Sequence, residues 1–376
     1  MVNKHSLVLA DFDSFVDRVS PVVNRVQLST NQKADQIMSL QMVQAAGEKW
    51  RSLRTTFTPI FTSGKMKAMM VFINETTMRL ITAMDKIAEN KESFEAKNTL
   101  GKFSMDTIAS CAFGLDANVH ENEKSVFVQY ATEIFKQKLS ARIKFMVGAL
   151  PLGKYILRAL NLSVSSKVET EFFYEVVMKT LKQRRETQIR RNDLIDMMMD
   201  AIRGDIVDEA NEMDQFEKDA KLKTDSSYYK PNTLLEIDIV ATAIVILVAG
   251  YDTTGSLLSF ACYELAKNPD IQARLRQEAE EVLNGIEDEL KYEDLQKMTY
   301  LDQVLSETLR LHTPLPLVVR VAVKDYNLPG TDITISKGTE VWVNAAGIHS
   351  DPKYYPEPDK FDPDRFDKEA IANRHP

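Results

Sequence analysis

Ala249-Gly250-Tyr251-Asp252-Thr253-Thr254 closes the longest apolar run of the chain, Ile239 to Gly250, with a carboxylate and two hydroxyls. No proline interrupts residues 234–267, so the stretch predicts one continuous helix with this segment at its middle. At about 1.5 Å per residue that helix would span roughly 51 Å, enough to cross a whole domain. The apolar run is shorter than the about 20 residues that a bilayer crossing needs, so it is expected at the centre of the protein. Polar groups buried there need partners or work. Threonine hydroxyls can bond the carbonyl one turn earlier and open a groove, or can simply satisfy themselves in a kinked core helix. Small Ala249 and Gly250 would let something flat approach the backbone.

The 376 residues are 44% hydrophobic, with a mean hydropathy of -0.26, and can bury a large core. Fifty-five acidic against 47 basic residues give a formal charge of -8, which argues against a nucleic-acid binder. Only Cys111 and Cys262 occur, so neither a disulfide scaffold nor a multi-cysteine metal site can be built. The first ten residues contain nothing long enough for a signal or transmembrane segment. Eight of the 13 prolines lie beyond residue 310, which predicts a helical body followed by a turn-rich, strand-bearing tail. Asn192 and Asn268 are candidate N-caps for helices beginning near Leu194 and Pro269. Acidic residues from Gly204 to Lys230 read as a solvated connector. Past Pro316, Val319, Val321 and Val323 alternate with polar or small residues, and Ile333 and Ile335 lead through Lys337-Gly338 to Val341 and Val343, which predicts a hairpin.

Two further constellations stand out. Glu307 and Arg310 lie one helical turn apart; as a surface pair they would contribute about 0.2–0.5 kcal/mol. The later Pro363-Asp364-Arg365-Phe366 offers a second arginine, and a carboxylate forked between Arg310 and Arg365 could lock the tail onto the helical body. Trp50 and Arg54 are four apart on one helical face and either form an anion site or stack as ring and cation. His312 and His349 read as structural. A nicotinamide dehydrogenase is disfavoured because no G-x-G-x-x-G follows a strand.

In this order and at these separations the elements resemble the cytochrome P-450 family, the haem-thiolate monooxygenases. The stretches Trp50 to Lys67 and Phe103 to Gly114 are similar to the animal microsomal, detoxification-type branch. The resemblance covers essentially the whole chain and implies a mainly α fold with small β-sheets, a single domain over 1–376. It implies that Asp252 and Thr253 are the acid and alcohol of a proton relay, and that Ala249 and Gly250 lie against the porphyrin of haem b. Trp50, Arg54 and Arg320 would bind haem propionates, and Glu307, Arg310 and Arg365 would form a structural triad under the haem. No residue present corresponds to the iron-ligating cysteine, whose glycine-rich loop would follow Pro376, and a membrane-anchoring helix would precede Met1. The chain is therefore expected to be a fragment incomplete at both ends, belonging at the cytosolic face of the endoplasmic reticulum membrane. The implied activity inserts one oxygen atom from O2 into an apolar small molecule, a xenobiotic, steroid or fatty acid. Its implied partners are NADPH-cytochrome P-450 reductase and cytochrome b5, with Lys49, Arg51, Lys65 and Lys67 as docking candidates. The alternative is a non-catalytic truncated paralogue or isoform acting as a binding scaffold.

Overall fold

A computed structural model describes residues 6–9, 23–24, 33–119, 126–135, 147, 153–160, 162, 166–203, 234–284, 289–328 and 331–372. The acidic connector expected at 204–230 lies outside them. The chain forms two compact units, one of residues 27–255 and one of residues 1–26 with 256–376.

The strands β1 (Ser6–Leu9) and β2 (Val23–Asn24) belong to the second of these. The 27–255 unit holds α1 (Lys33–Ser39), α2 (Gly47–Phe57), a 3-10 turn (Thr58–Phe61), α3 (Ser63–Asn90), α4 (Ala96–Phe113), α5 (Val126–Phe135), α6 (Gly153–Ala159), α7 (Lys167–Thr187), α8 (Leu194–Arg203) and most of α9 (Glu236–Lys267). Its core is a continuous apolar cluster that includes Leu53, Phe57, Met105, Phe173, Ile195 and Leu247. Phe113, Phe127 and Phe173 meet at centroid distances of 5.3–6.1 Å, in the edge-on or tilted arrangements that aromatic rings prefer. Two features of α9 differ from expectation. As a whole it is long and apolar enough to cross a membrane, although Ile239, Val240, Ala243, Ile244 and Leu247 are buried in this core. It also runs as helix without interruption through Asp252.

Local charge fixes the helix ends. Arg184 of α7 pairs with Asp193 at 2.6 Å and Asp196 at 2.7 Å, all three nearly buried. Asp193, not Asn192, caps α8, its Oδ1 accepting from the Asp196 amide at 3.1 Å. Asn192 instead takes a left-handed conformation, φ 57°, which an asparagine tolerates, just before the cap.

In the other unit α10 (Pro269–Leu283), α11 (Tyr292–Leu295) and α12 (Thr299–Leu311) precede the strands β3 (Leu317–Ala322), β4 (Tyr326–Asn327), β5 (Thr334–Ile335) and β6 (Glu340–Asn344). The short α13 (Ala345–His349), a 3-10 turn (Pro363–Phe366) and α14 (Lys368–Ala372) complete it. Asn268 does not cap α10 with its side chain; its amide donates back to the Glu264 carbonyl at 2.8 Å and so ends α9. One sheet has the order β1-β6-β3-β2, with β1 and β6 parallel and the other pairs antiparallel. The expected hairpin across Lys337-Gly338 does not form: β5 pairs with β4, and β6 pairs with β3. The reason is burial of Val341 and Val343 by insertion of β6 between β3 and β1, while Gly338, at φ 87°, donates to the Ala322 carbonyl at 2.8 Å.

Helices α4 and α9 approach through glycine. A Cβ added at Gly255 would meet the Gly101 Cα at 3.0 Å and its N at 3.3 Å, and backbone atoms cannot swing aside. Gly255→Val should therefore destabilise the protein by about 1–3 kcal/mol in a urea titration. An unchanged midpoint would contradict this packing.

Candidate functional site

The candidate residues fall on five elements, α2, α9, α12, β3 and the 3-10 turn Pro363–Phe366, each with its own local logic. On α9, Asp238 is fully buried in the first turn, where its Oδ2 accepts from the Leu235 amide at 2.8 Å. Its Oδ1 is 2.7 Å from Lys49 Nζ, so α2 is fastened to the start of α9. Four turns on, the polar segment is gripped by one face of α4 whose residues recur at helical spacing: Lys97, Gly101, Ser104 and Ile108. Lys97 Nζ donates to Asp252 Oδ1 at 2.7 Å and to the Asp252 carbonyl at 3.0 Å. Ser104 Oγ donates to the Gly250 carbonyl at 2.8 Å, and Tyr251 packs over Gly101. Burial, reinforced by the Asp252 charge, raises the Tyr251 phenol above its usual range and keeps it neutral.

Gly250 meets α4 on the side where a side chain would stand. A Cβ there would lie 2.5 Å from Ile108 Cδ1, so the direction in which its side chain would point is filled by α4. Ala249 is exposed, two residues after fully buried Leu247, and so marks the accessible stripe of an otherwise buried segment. The Thr253 hydroxyl, four residues on, donates to the Ala249 carbonyl. With its proton held there, its lone pairs are left to accept a hydrogen bond from water or a ligand. Asp252, half-exposed, is a hydrogen-bond acceptor held in place by Lys97. This part of the site can accept and pass protons through water.

Trp50 and Arg54 lie on α2, both half-buried, flanked by fully buried Leu53 and Phe57. The i, i+4 spacing places the indole and guanidinium on one face. Thr58 closes that helix by donating its hydroxyl to the Arg54 carbonyl at 2.6 Å.

In the other unit, Glu307, Arg310 and Arg365 come together as the sequence pattern suggested. Arg310 Nε and Nη2 donate to the two oxygens of Glu307 at 2.6 and 2.8 Å. The same guanidinium donates to the carbonyls of His349 at 2.8 Å and Lys360 at 3.2 Å. Glu307 Oε1 also accepts from the Asp362 amide at 2.9 Å and lies 3.4 Å from Arg365 Nε. Glu307 is fully buried, so this is no surface pair: both of its oxygens accept, and all three nitrogens of Arg310 donate. Burial and the neighbouring Arg310 charge depress the His349 imidazole, whose part is structural. His312 stacks on Phe260 at 4.2 Å and bonds Glu264 at 2.8 Å, also a structural setting.

Arg320 on β3 differs from both triad arginines. It is half-buried, desolvation lowers its pKa, and among the described residues its bonding partner is only the neighbouring Val319 carbonyl, at 3.0 Å. A cation desolvated without a carboxylate suits an anionic group brought by a ligand. Within the 27–255 unit, exposed Ala249 leaves room for a flat group and the Trp50–Arg54 face carries donors suited to a carboxylate. Neither cysteine resembles a metal ligand. Burial pushes the Cys111 thiol up to about 12, Cys262 lies in a helical turn well past Thr253, and the described residues contain no group of three or more His, Cys, Asp or Glu that could hold a metal.

Sequence reasoning missed Lys97, Ser104 and Asp238. The glycine at 101 was the available signal that α4 is a close-packing face; nothing local pairs Lys97 with a carboxylate 155 positions away. Lys49, a docking candidate, is instead engaged with Asp238.

Comparison with known proteins followed the same lines. A family model described as Cytochrome P450 matches residues 14–376. "Probable cytochrome P450 6a14" of Drosophila melanogaster is 37% identical over 98% of this chain and 69% of that protein. "Cytochrome P450 6B1" of Papilio polyxenes is 36% identical over 99% of the chain and 69% of its own length. "Cytochrome P450 6k1" of Blattella germanica is 34% identical over 99% and 68% respectively.

The two thiols make a simple check of the site's chemistry. A disulfide reagent at pH 8 should modify one thiol of the native protein, Cys262, and reach Cys111 only on unfolding. Rapid native modification of Cys111 would contradict its burial.

Proposed function

The chain belongs to the cytochrome P450 family of haem-thiolate monooxygenases, and from that premise we propose that it oxidises apolar xenobiotics with electrons from NADPH delivered by a flavoprotein reductase. The observation that carries the cofactor reading is Arg320, a desolvated guanidinium with no carboxylate against it among the described residues. Arg320 would take a haem carboxylate through its forked guanidinium donors, and the resemblance gives the same role, taken within the 27–255 unit by itself, to the indole N–H of Trp50 and the guanidinium of Arg54. Ala249, small and exposed, would face the porphyrin, whereas Gly250 serves the contact with Ile108. Haem, when bound, supplies the activation of O2, one atom going to substrate and the other to water.

The chain's own residues manage protons and position. Thr253, its hydroxyl proton lodged on the Ala249 carbonyl, accepts from water beside the cofactor. Asp252 receives protons from solvent, and Lys97 holds the carboxylate between deliveries. The triad keeps the strand and turn segments beneath the cofactor in register and takes no part in bond making. Arg51, Lys65 and Lys67 remain the candidate basic contacts for a reductase or cytochrome b5. Membrane association at the cytosolic face of the endoplasmic reticulum belongs to the same reading. The apolar stripe of α9, with Val245, Ile246 and Ala249, favours substrates that shed water on binding.

Thr253→Ala in the haem-loaded enzyme should raise peroxide release relative to product at least severalfold while leaving haem content intact, as expected for loss of a general-acid relay. Unchanged coupling would remove Thr253 from the relay.

A further inference from the structure

The charged face of α10 meets two elements at once. Arg274 lies with its guanidinium 3.8 Å above the ring of Tyr300, the second residue of α12, and its Nη1 donates to both carboxylate oxygens of Asp364, at 2.8 and 3.0 Å. One turn further along the same face, Glu278 accepts from the amides of Tyr300 at 2.7 Å and Leu301 at 2.9 Å. Those are N–H groups of the first turn of α12, which have no partner within their own helix. An exposed ion pair ordinarily adds little. Here both charges are more than half exposed, but the guanidinium also stacks on a ring only 6% exposed, and the carboxylate it bonds belongs to the residue preceding Arg365. Asp364 and Arg365 share the 3-10 turn Pro363–Phe366, and Arg365 donates to the Glu357 carbonyl at 2.9 Å as it reaches toward Glu307.

We infer that Arg274 and Glu278 are positioning residues: one face of α10 sets α12 against the turn Pro363–Phe366 and, through Asp364, holds Arg365 on Glu307. Glu278 fixes where α12 begins, and hence where Glu307 sits two turns later. Arg274 fixes the turn that carries Arg365. The pair acts from outside the triad on the two elements that meet there. The consequence for haem rests on the structural role proposed for the triad; the clamp itself does not.

Hydrogen exchange in the haem-loaded protein separates the two. Arg274→Met should speed exchange of amides 361–367 about tenfold, the loss expected when a stacked cation and its ion pair go together, with global unfolding little changed. The charge-swapped double variant Arg274→Asp with Asp364→Arg should return exchange toward the parent, which a loss of mere bulk would not. Glu278→Gln should speed exchange at residues 300–302 first. Parent-like exchange at 361–367 in Arg274→Met, or a swap as fast as the single variant, would overturn the clamp. Transfer of haem to an apoprotein acceptor is measured alongside. Faster transfer in step with faster exchange supports both readings. Faster exchange with unchanged transfer upholds the clamp and refutes the triad's role in holding haem.

Discussion

The pair of Glu307 and Arg310 is the interaction on which the 256–376 unit depends. Both side chains are almost completely out of water, where a lone charge is very costly and a half-satisfied pair is worse than an apolar contact. The structure meets that demand by recruiting backbone. His349 is the last residue of α13, which follows β6, Lys360 and Asp362 lie in the turn-rich tail, and all three bond the pair directly. Two segments, at His349 and at residues 360–362, are thus tied to one turn of α12. Buried ion pairs are poor sources of net stability but strict selectors of geometry, and that is the use made of this one.

In the 27–255 unit the corresponding constraint is steric. Gly101 and Gly255 bring α4 and α9 backbone to backbone, and that approach delivers Lys97 to Asp252 and Ser104 to the Gly250 carbonyl. The polar segment of α9 is therefore regular, fully helical and supported from one side, with Ala249 and Thr253 on the stripe left open. Its carboxylate finds a partner in Lys97 of the neighbouring helix, and its Thr253 hydroxyl finds one in the Ala249 carbonyl.

Much of this was legible because the signals are local. The proline-free apolar stretch announced α9 to within two residues at its start, and the i, i+3 acid and base announced a pair whose depth became evident only from the second arginine. Spacing also put Trp50 beside Arg54. The misreadings share a cause: two partners competed and sequence alone could not rank them. Asp193 outcompetes Asn192 as a cap because Arg184 and the Asp196 amide both favour a carboxylate there. Strand β6 prefers β3 and β1 over β5 because it has two apolar residues to bury. Lys97 and Arg274 carried no signal, since their partners lie 155 and 90 residues away.

The central claim is that the buried Glu307–Arg310 pair organises the tail, and urea unfolding of Arg310→Ala tests it most directly. Leaving Glu307 buried without its cation should cost about 3–5 kcal/mol, with loss of the ordered tail well before the parent midpoint. A shift of less than about 1 kcal/mol, the size of an ordinary exposed pair, would contradict the account.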